Sequence, residues 1–205
     1  MNFASQPAAK GRVIRPEQMI LFRIGSQLFA ISASVVQEIR SADSIGSAAA
    51  EIQQPGLRKV CSHVRRGQRT LYLVHGGTLF GLPPSQATLV FLFRNRRAAL
   101  LVDAIDRMAA ITRLQAVPQA FCHEERNWYR GFVAMENSVI PVVNPDGLLL
   151  AQEIAQLDAG VETAALESTA AAELLDGENE SPESGVPEGA AMEYPAENAD
   201  RQDPA

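Results

Sequence analysis

The sequence predicts a mainly β protein of the barrel or sandwich class, and three observations carry the prediction. Short apolar runs rich in β-branched and aromatic residues recur through residues 19–143. Turn signals separate them about every ten residues. The clearest pair, LVFLF at 89–93 and AALLV at 98–102, flanks Arg94, Asn95, Arg96 and Arg97, a charged turn that no core accepts. This spacing opposes a helical or βαβ domain.

Taken in order, residues 1–17 read as a loose arm. MILFRI (19–24) and LFAISAS (28–34), joined by Gly25-Ser26-Gln27, predict a hairpin. VVQEIR (35–40) is amphipathic but too short for its period to separate helix from strand. Residues 41–55 are rich in small side chains and predict a loop. Strands are expected at 70–74 and 78–82 around Gly76-Gly77, then at 111–114, 132–135 and 139–143. A faint repeat, Arg66-Gly67 leading to Gly81-Leu82 and Arg130-Gly131 leading to Gly147-Leu148, suggests two related halves. The body is placed at 18–150 and a helix or linker at 151–175. There Ile154, Leu157, Val161 and Ala165 fall near helical spacing, so the first turns should pack on the body. Residues 176–205, rich in Glu, Pro, Gly and Ala, predict a disordered acidic tail.

Charge divides the chain in the same place. Residues 1–150 hold 17 of the 18 Lys and Arg but only 10 of the 24 Asp and Glu. The net charge of −6 therefore sums a mildly basic body and a strongly acidic tail. Two cysteines, Cys61 and Cys122, with no apolar leader segment near the N-terminus, predict a reducing, cytoplasmic location. Residues 70–93 carry no formal charge and are long enough to span a bilayer. Gly76-Gly77, Gly81 and Pro83-Pro84 break that run, and Tyr72, His75, Ser85, Gln86 and Thr88 are too polar for lipid.

Catalytic chemistry finds little support. Cys122-His123 are neighbours in sequence only, and adjacent residues of an extended chain point apart. Cys61 and His63 with Cys122 and His123 match no usual zinc spacing. Neither a Gly-x-Ser-x-Gly elbow nor a phosphate loop occurs. Asp103 with Asp106 reads as a strand end rather than an acid/base pair. No catalytic residue, metal or cofactor is expected. The clusters Arg65, Arg66, Arg69 and Arg94, Arg96, Arg97 raise an alternative, a nucleic-acid-binding small β-barrel, which requires aromatic rings among the arginines. Only Tyr72 lies near the first cluster, and Phe93 beside the second should be core, so solvated turns are the simpler reading and no nucleic acid is expected as partner.

Residues 19 to about 150 resemble the CheW-like domain family, the coupling module of bacterial chemosensory arrays. The matching pieces, in order, are MILFRIGSQLFAISASVVQEIR, RRG at 65–67, FGLP at 80–83, AALLVDAIDRM and YRGFVAMENSVIPVVNPDGLL. VQEIR and LLVDAID are the most specific. The chain departs from the family's pattern at Ser62, where a glycine usually opens the Asn-Leu-Arg-Gly run, and at His75 and Asn144, where Asp is usual. The resemblance implies two intertwined five-stranded SH3-like barrels with short helices around a shared apolar core, without catalytic activity. It also implies two partners, the regulatory domain of a chemotaxis histidine kinase and the signalling tip of methyl-accepting receptors, with membrane arrays reached only through them. By motif position Val36, Glu38 and Arg66 would face the receptor, with Gly67 setting the turn. An exposed apolar residue flanked by a carboxylate and a guanidinium suits a helical tip.

Overall fold

The computed structural model describes residues 15–46, 48–52, 54, 56–121, 123–135 and 138–177. Two compact units are distinguished, Met1–Ala164 and Ala165–Ala205, and every strand among the described residues lies in the first. Most of the expected arm and of the acidic tail fall outside the described residues.

β1 (Glu17–Ile24) and β2 (Gln27–Ser32) form the expected hairpin, in register from Met19↔Ser32 to Ile24↔Gln27. Gly25, at φ +58, takes the first position of its two-residue turn, a conformation that favours glycine. The ambiguous segment 35–40 is a strand, β3 (Val36–Ser41). After it come β4 (Ala49–Glu51), β5 (Val60–Arg66), β6 (Arg69–His75), β7 (Leu89–Phe93) and β8 (Ala98–Val102). The last three are β9 (Ala104–Ile111), β10 (Tyr129–Met135) and β11 (Ser138–Val143). One sheet runs β10-β11-β2-β1-β9 and the other β3-β7-β8-β6-β5-β4. Pairing is antiparallel except for β11 with β2 and β6 with β8. The chain thus starts the first sheet, builds all of the second, and returns to finish the first. It crosses over at residues 33–35 and back at the single residue Asp103.

Four expectations need correction. Residues 41–55 hold α1 (Ala42–Gly46) and β4, so the second sheet has six strands rather than five. Residues 78–82 are not a strand: His75 caps a helical turn, α2 (Gly76–Leu79), by accepting the Thr78 N–H on Nδ1 at 3.3 Å. A ring nitrogen here performs the task an Asp carboxylate often performs at a helix start. The strand placed at 111–114 lies earlier, as β9, whose side chains from Ala104 to Met108 are all exposed and so lack a buried strand's apolar signature. The repeat fails in register, since Gly67 sits in the β5–β6 turn whereas Gly131 sits within β10.

Three apolar clusters explain why LVFLF and AALLV are continuous rather than alternating runs. Successive residues of a strand point to opposite faces. In β7, Val90 and Leu92 enter one cluster with Leu73, Ala99, Leu101 and Ile45, while Phe91 and Phe93 enter another. β1 does the same, sending Met19 and Leu21 to a cluster with Ala30, Val133, Ile140 and Val142, and Ile20, Phe22 and Ile24 to the shared one. Each sheet therefore has its own interior, and a third core lies between them. Phe22 of the first sheet meets Phe91 of the second edge-on at 5.2 Å there. Phe80, just after α2, stacks on Phe29 at 4.7 Å and on Tyr129 at 5.6 Å. Burial pushes the Tyr129 phenol up to about 12.

α3 (His123–Trp128) precedes β10, and a 3₁₀ turn at Pro145–Gly147 follows β11. α4 (Ala151–Gly177) then begins, with the Glu153 carboxylate accepting the Leu150 N–H at 2.8 Å and pairing with Lys59 at 2.7 Å. As expected, Ile154, Leu157 and Val161 pack on the shared core, Leu157 at 1% exposure. Asp158 fastens the next turn: it accepts the Tyr72 hydroxyl at 2.5 Å and both ends of the Arg97 guanidinium, Nη1 at 2.7 Å. Arg97, chiefly, and Tyr72 hold the Asp158 carboxyl below its usual range. A depressed folded-state value stabilises above the unfolded pKa and is lost as pH falls through the folded one. Asp158→Asn is therefore expected to flatten the fall of melting temperature with acidification below about pH 4. Thermal scans of both proteins across that window check it.

Candidate functional site

Glu38 stands on β3 and Arg66 at the end of β5, strands at or next to opposite ends of the six-stranded sheet. The sheet curls so that Arg66 Nη2 donates to Glu38 Oε2 at 3.0 Å. Arg40, two residues along β3 and so on the same face, donates from Nε to Glu38 Oε1 at 2.5 Å. Arg40 first and Arg66 second hold the Glu38 carboxyl below its usual range. Gly67 begins the two-residue turn closed by Arg66↔Arg69 at φ +62, where a side chain would be strained. All three charged side chains are at least a third exposed, so the bridge adds little stability and stays available to an incoming group. Arg40 went unnoticed in the sequence, although its spacing of two from Glu38 on a strand signals it.

Val36 does not form the expected exposed apolar element. At 7% exposure it belongs to the shared core, because β3 pairs with β7 and Val36 lies opposite Phe93. Glu38, Arg66 and Gly67 come together at the surface, and Val36 anchors the strand beneath them.

The aspartate of LLVDAID is structural. Asp103 accepts the Gly25 N–H at 2.5 Å and the Ser85 hydroxyl at 3.0 Å, and its carbonyl accepts from Thr88. It thereby ties the β1–β2 turn and the segment before β7 to the crossover. Asp106 pairs with Arg23 at 3.1 Å and Arg107 at 3.0 Å. Asn144 accepts the Asp146 N–H and donates to the Asn127 carbonyl at 3.0 Å, a donation that the Asp usual in the family cannot make.

The arginine clusters lack a stacking face. Tyr72 is fully buried with Arg97 over its ring at 5.3 Å, and Phe93 is core. Arg66, Arg96 and Arg97 pair with carboxylates. The Cys61 thiol donates to the Leu73 carbonyl at 3.4 Å, and burial raises its pKa. Cys122 lies outside the described residues, among which no group of three or more His, Cys, Asp or Glu converges as for a metal. No helix among them is long and apolar enough to cross a membrane.

The chain resembles in fold a crystal structure of the scaffolding protein TtCheW from Thermoanaerobacter tengcongensis. The TM-score is 0.53 at 12% identity, covering 66% of this chain and 94% of that one. No curated protein sequence matches significantly. The family model for the CheW-like domain matches residues 18–153, most of the chain, and ends just inside α4. The two sheets with their shared core are accordingly the paired SH3-like barrels of that fold, and the chain belongs to the CheW-like domain family.

Proposed function

We propose that this protein is a non-enzymatic adaptor that couples methyl-accepting chemoreceptors to a chemotaxis histidine kinase within a bacterial signalling array, on the cytoplasmic side of the membrane. Family membership over residues 18–153 supports the adaptor role. The observation that carries the site is the Glu38–Arg66 bridge, which presents a carboxylate from the edge strand β3 and a guanidinium from the end of β5 side by side, with Gly67 in the turn that follows. A receptor's helical tip would exchange part of this bridge for its own polar groups, with Val36 keeping β3 fixed from below. Weak contacts of this kind gain strength through repetition in an array. The regulatory domain of the kinase would take a separate surface.

The test is a titration of the full chain with a receptor signalling-tip fragment and, separately, with a kinase regulatory domain from the same organism. Arg66→Ala is expected to weaken the receptor fragment about tenfold, roughly 1.4 kcal/mol, and to leave the kinase domain unaffected. Binding to neither partner by the unmodified chain overturns the coupling role. Equal loss for both overturns the site.

A further inference from the structure

Two of the turn arginines singled out in the sequence, Arg94 and Arg96, line a cleft that the coupling role does not use. It lies at the first crossover between the sheets, measures about 540 Å³, and is lined by Ser32, Ser34 and Val35, by residues 94–96 of the β7–β8 turn, by Arg130 and by residues 143–146. Neither Glu38 nor Arg66 lines it. Its rim is fixed rather than loose. The Arg94 N–H donates to the Val35 carbonyl at 3.0 Å, and Arg94 Nε donates to the Ser34 carbonyl at 3.1 Å. That contact holds the guanidinium in place while its terminal amino groups have no carboxylate partner among the described residues. Arg96 is shared with Asp146, and Arg130 donates to Glu17 at 2.6 Å. Three guanidiniums thus meet two carboxylates, and Arg94 is the cation left over.

We propose that this cleft is a docking site for an acidic segment of a protein partner, with a carboxylate taken by Arg94 and neighbouring acidic side chains read by Arg96 and Arg130. A held guanidinium loses little freedom when it accepts a carboxylate in its two-pronged geometry. The cleft favours carboxylates over a nucleic acid because no aromatic ring lines it on which a base could stack. Within the lining three arginines face one carboxylate, Asp146, so the cleft itself is locally positive and attracts such a segment at short range.

Fluorescence anisotropy of the full chain with a labelled hexaglutamate peptide tests this at low salt, so that any competition from the chain's own acidic residues after 150 is already part of the measured affinity. Saturable binding is expected, with Arg94→Gln and Arg130→Gln each weakening it about fivefold or more. Arg113→Gln, a change at an exposed arginine outside the cleft, should leave it unchanged. Two variants guard against one failing to fold, and their melting temperatures are read alongside. Three results overturn the proposal. They are absence of saturable binding, an equal loss in Arg113→Gln, which means attraction to net charge alone, and displacement of the peptide by oligothymidylate at lower concentration than by unlabelled hexaglutamate.

Discussion

Phe22→Ala is expected to destabilise the protein by about 4 kcal/mol, a large share of the roughly 5–15 kcal/mol that holds a folded domain together. Phe22 is fully buried, touches Phe29 at 5.8 Å within its own sheet and meets Phe91 of the other sheet edge-on. Truncation removes the ring's burial and leaves a void between two sheets that cannot close upon it, because each is held at its own interior by Leu21 and its neighbours or by Leu92 and its neighbours. Urea unfolding followed by tryptophan fluorescence measures the loss, since Trp128 packs against the same core. A loss below about 1 kcal/mol would mean that the sheets re-pack freely, contrary to a shared core.

Gly147→Ala should cost about 3 kcal/mol for a different reason. A Cβ there would lie 1.7 Å from the Asn127 carbonyl oxygen and 2.3 Å from its carbon, backbone atoms that no side-chain rotation moves aside. The same carbonyl receives the Asn144 amide, and the Asn144 N–H donates to the Trp128 carbonyl at 2.8 Å. Adding one methyl group therefore forces α3 away from the 3₁₀ turn and breaks a connected set of hydrogen bonds. The expected signature is a lowered unfolding midpoint with an unchanged denaturant slope, because the folded state is strained rather than expanded. A midpoint equal to that of the unmodified protein would refute the close approach.

The contrast between these residues shows where a sequence is informative. Apolar runs marked β1, β2, β7, β8, β10 and β11, because burial on one or both faces writes itself into composition. β5 went unread because Ser62 and His63 interrupt it, and β9 because its exposed side chains carry no apolar period. A glycine kept small by a carbonyl twenty residues earlier leaves no local trace, and neither does Asp158, whose partners Tyr72 and Arg97 lie 86 and 61 residues away. Within the candidate site, motif order located Glu38, Arg66 and Gly67, but only three-dimensional pairing with Phe93 revealed that Val36 faces inward.

The one-residue return at Asp103 bears on how the protein is made. β1 and β2 leave the ribosome first, yet the sheet they begin lacks β9 until residue 111 has emerged and β10 and β11 until residue 143 has. The second sheet, complete by residue 102, must then wait beside an unfinished neighbour with its shared face uncovered. Long-range pairings of this kind slow folding and prolong the exposure of apolar surface. Either barrel expressed alone would leave its side of the shared core uncovered, and a nascent chain stalled near residue 110 should be a natural client for chaperones that cover hydrophobic surface.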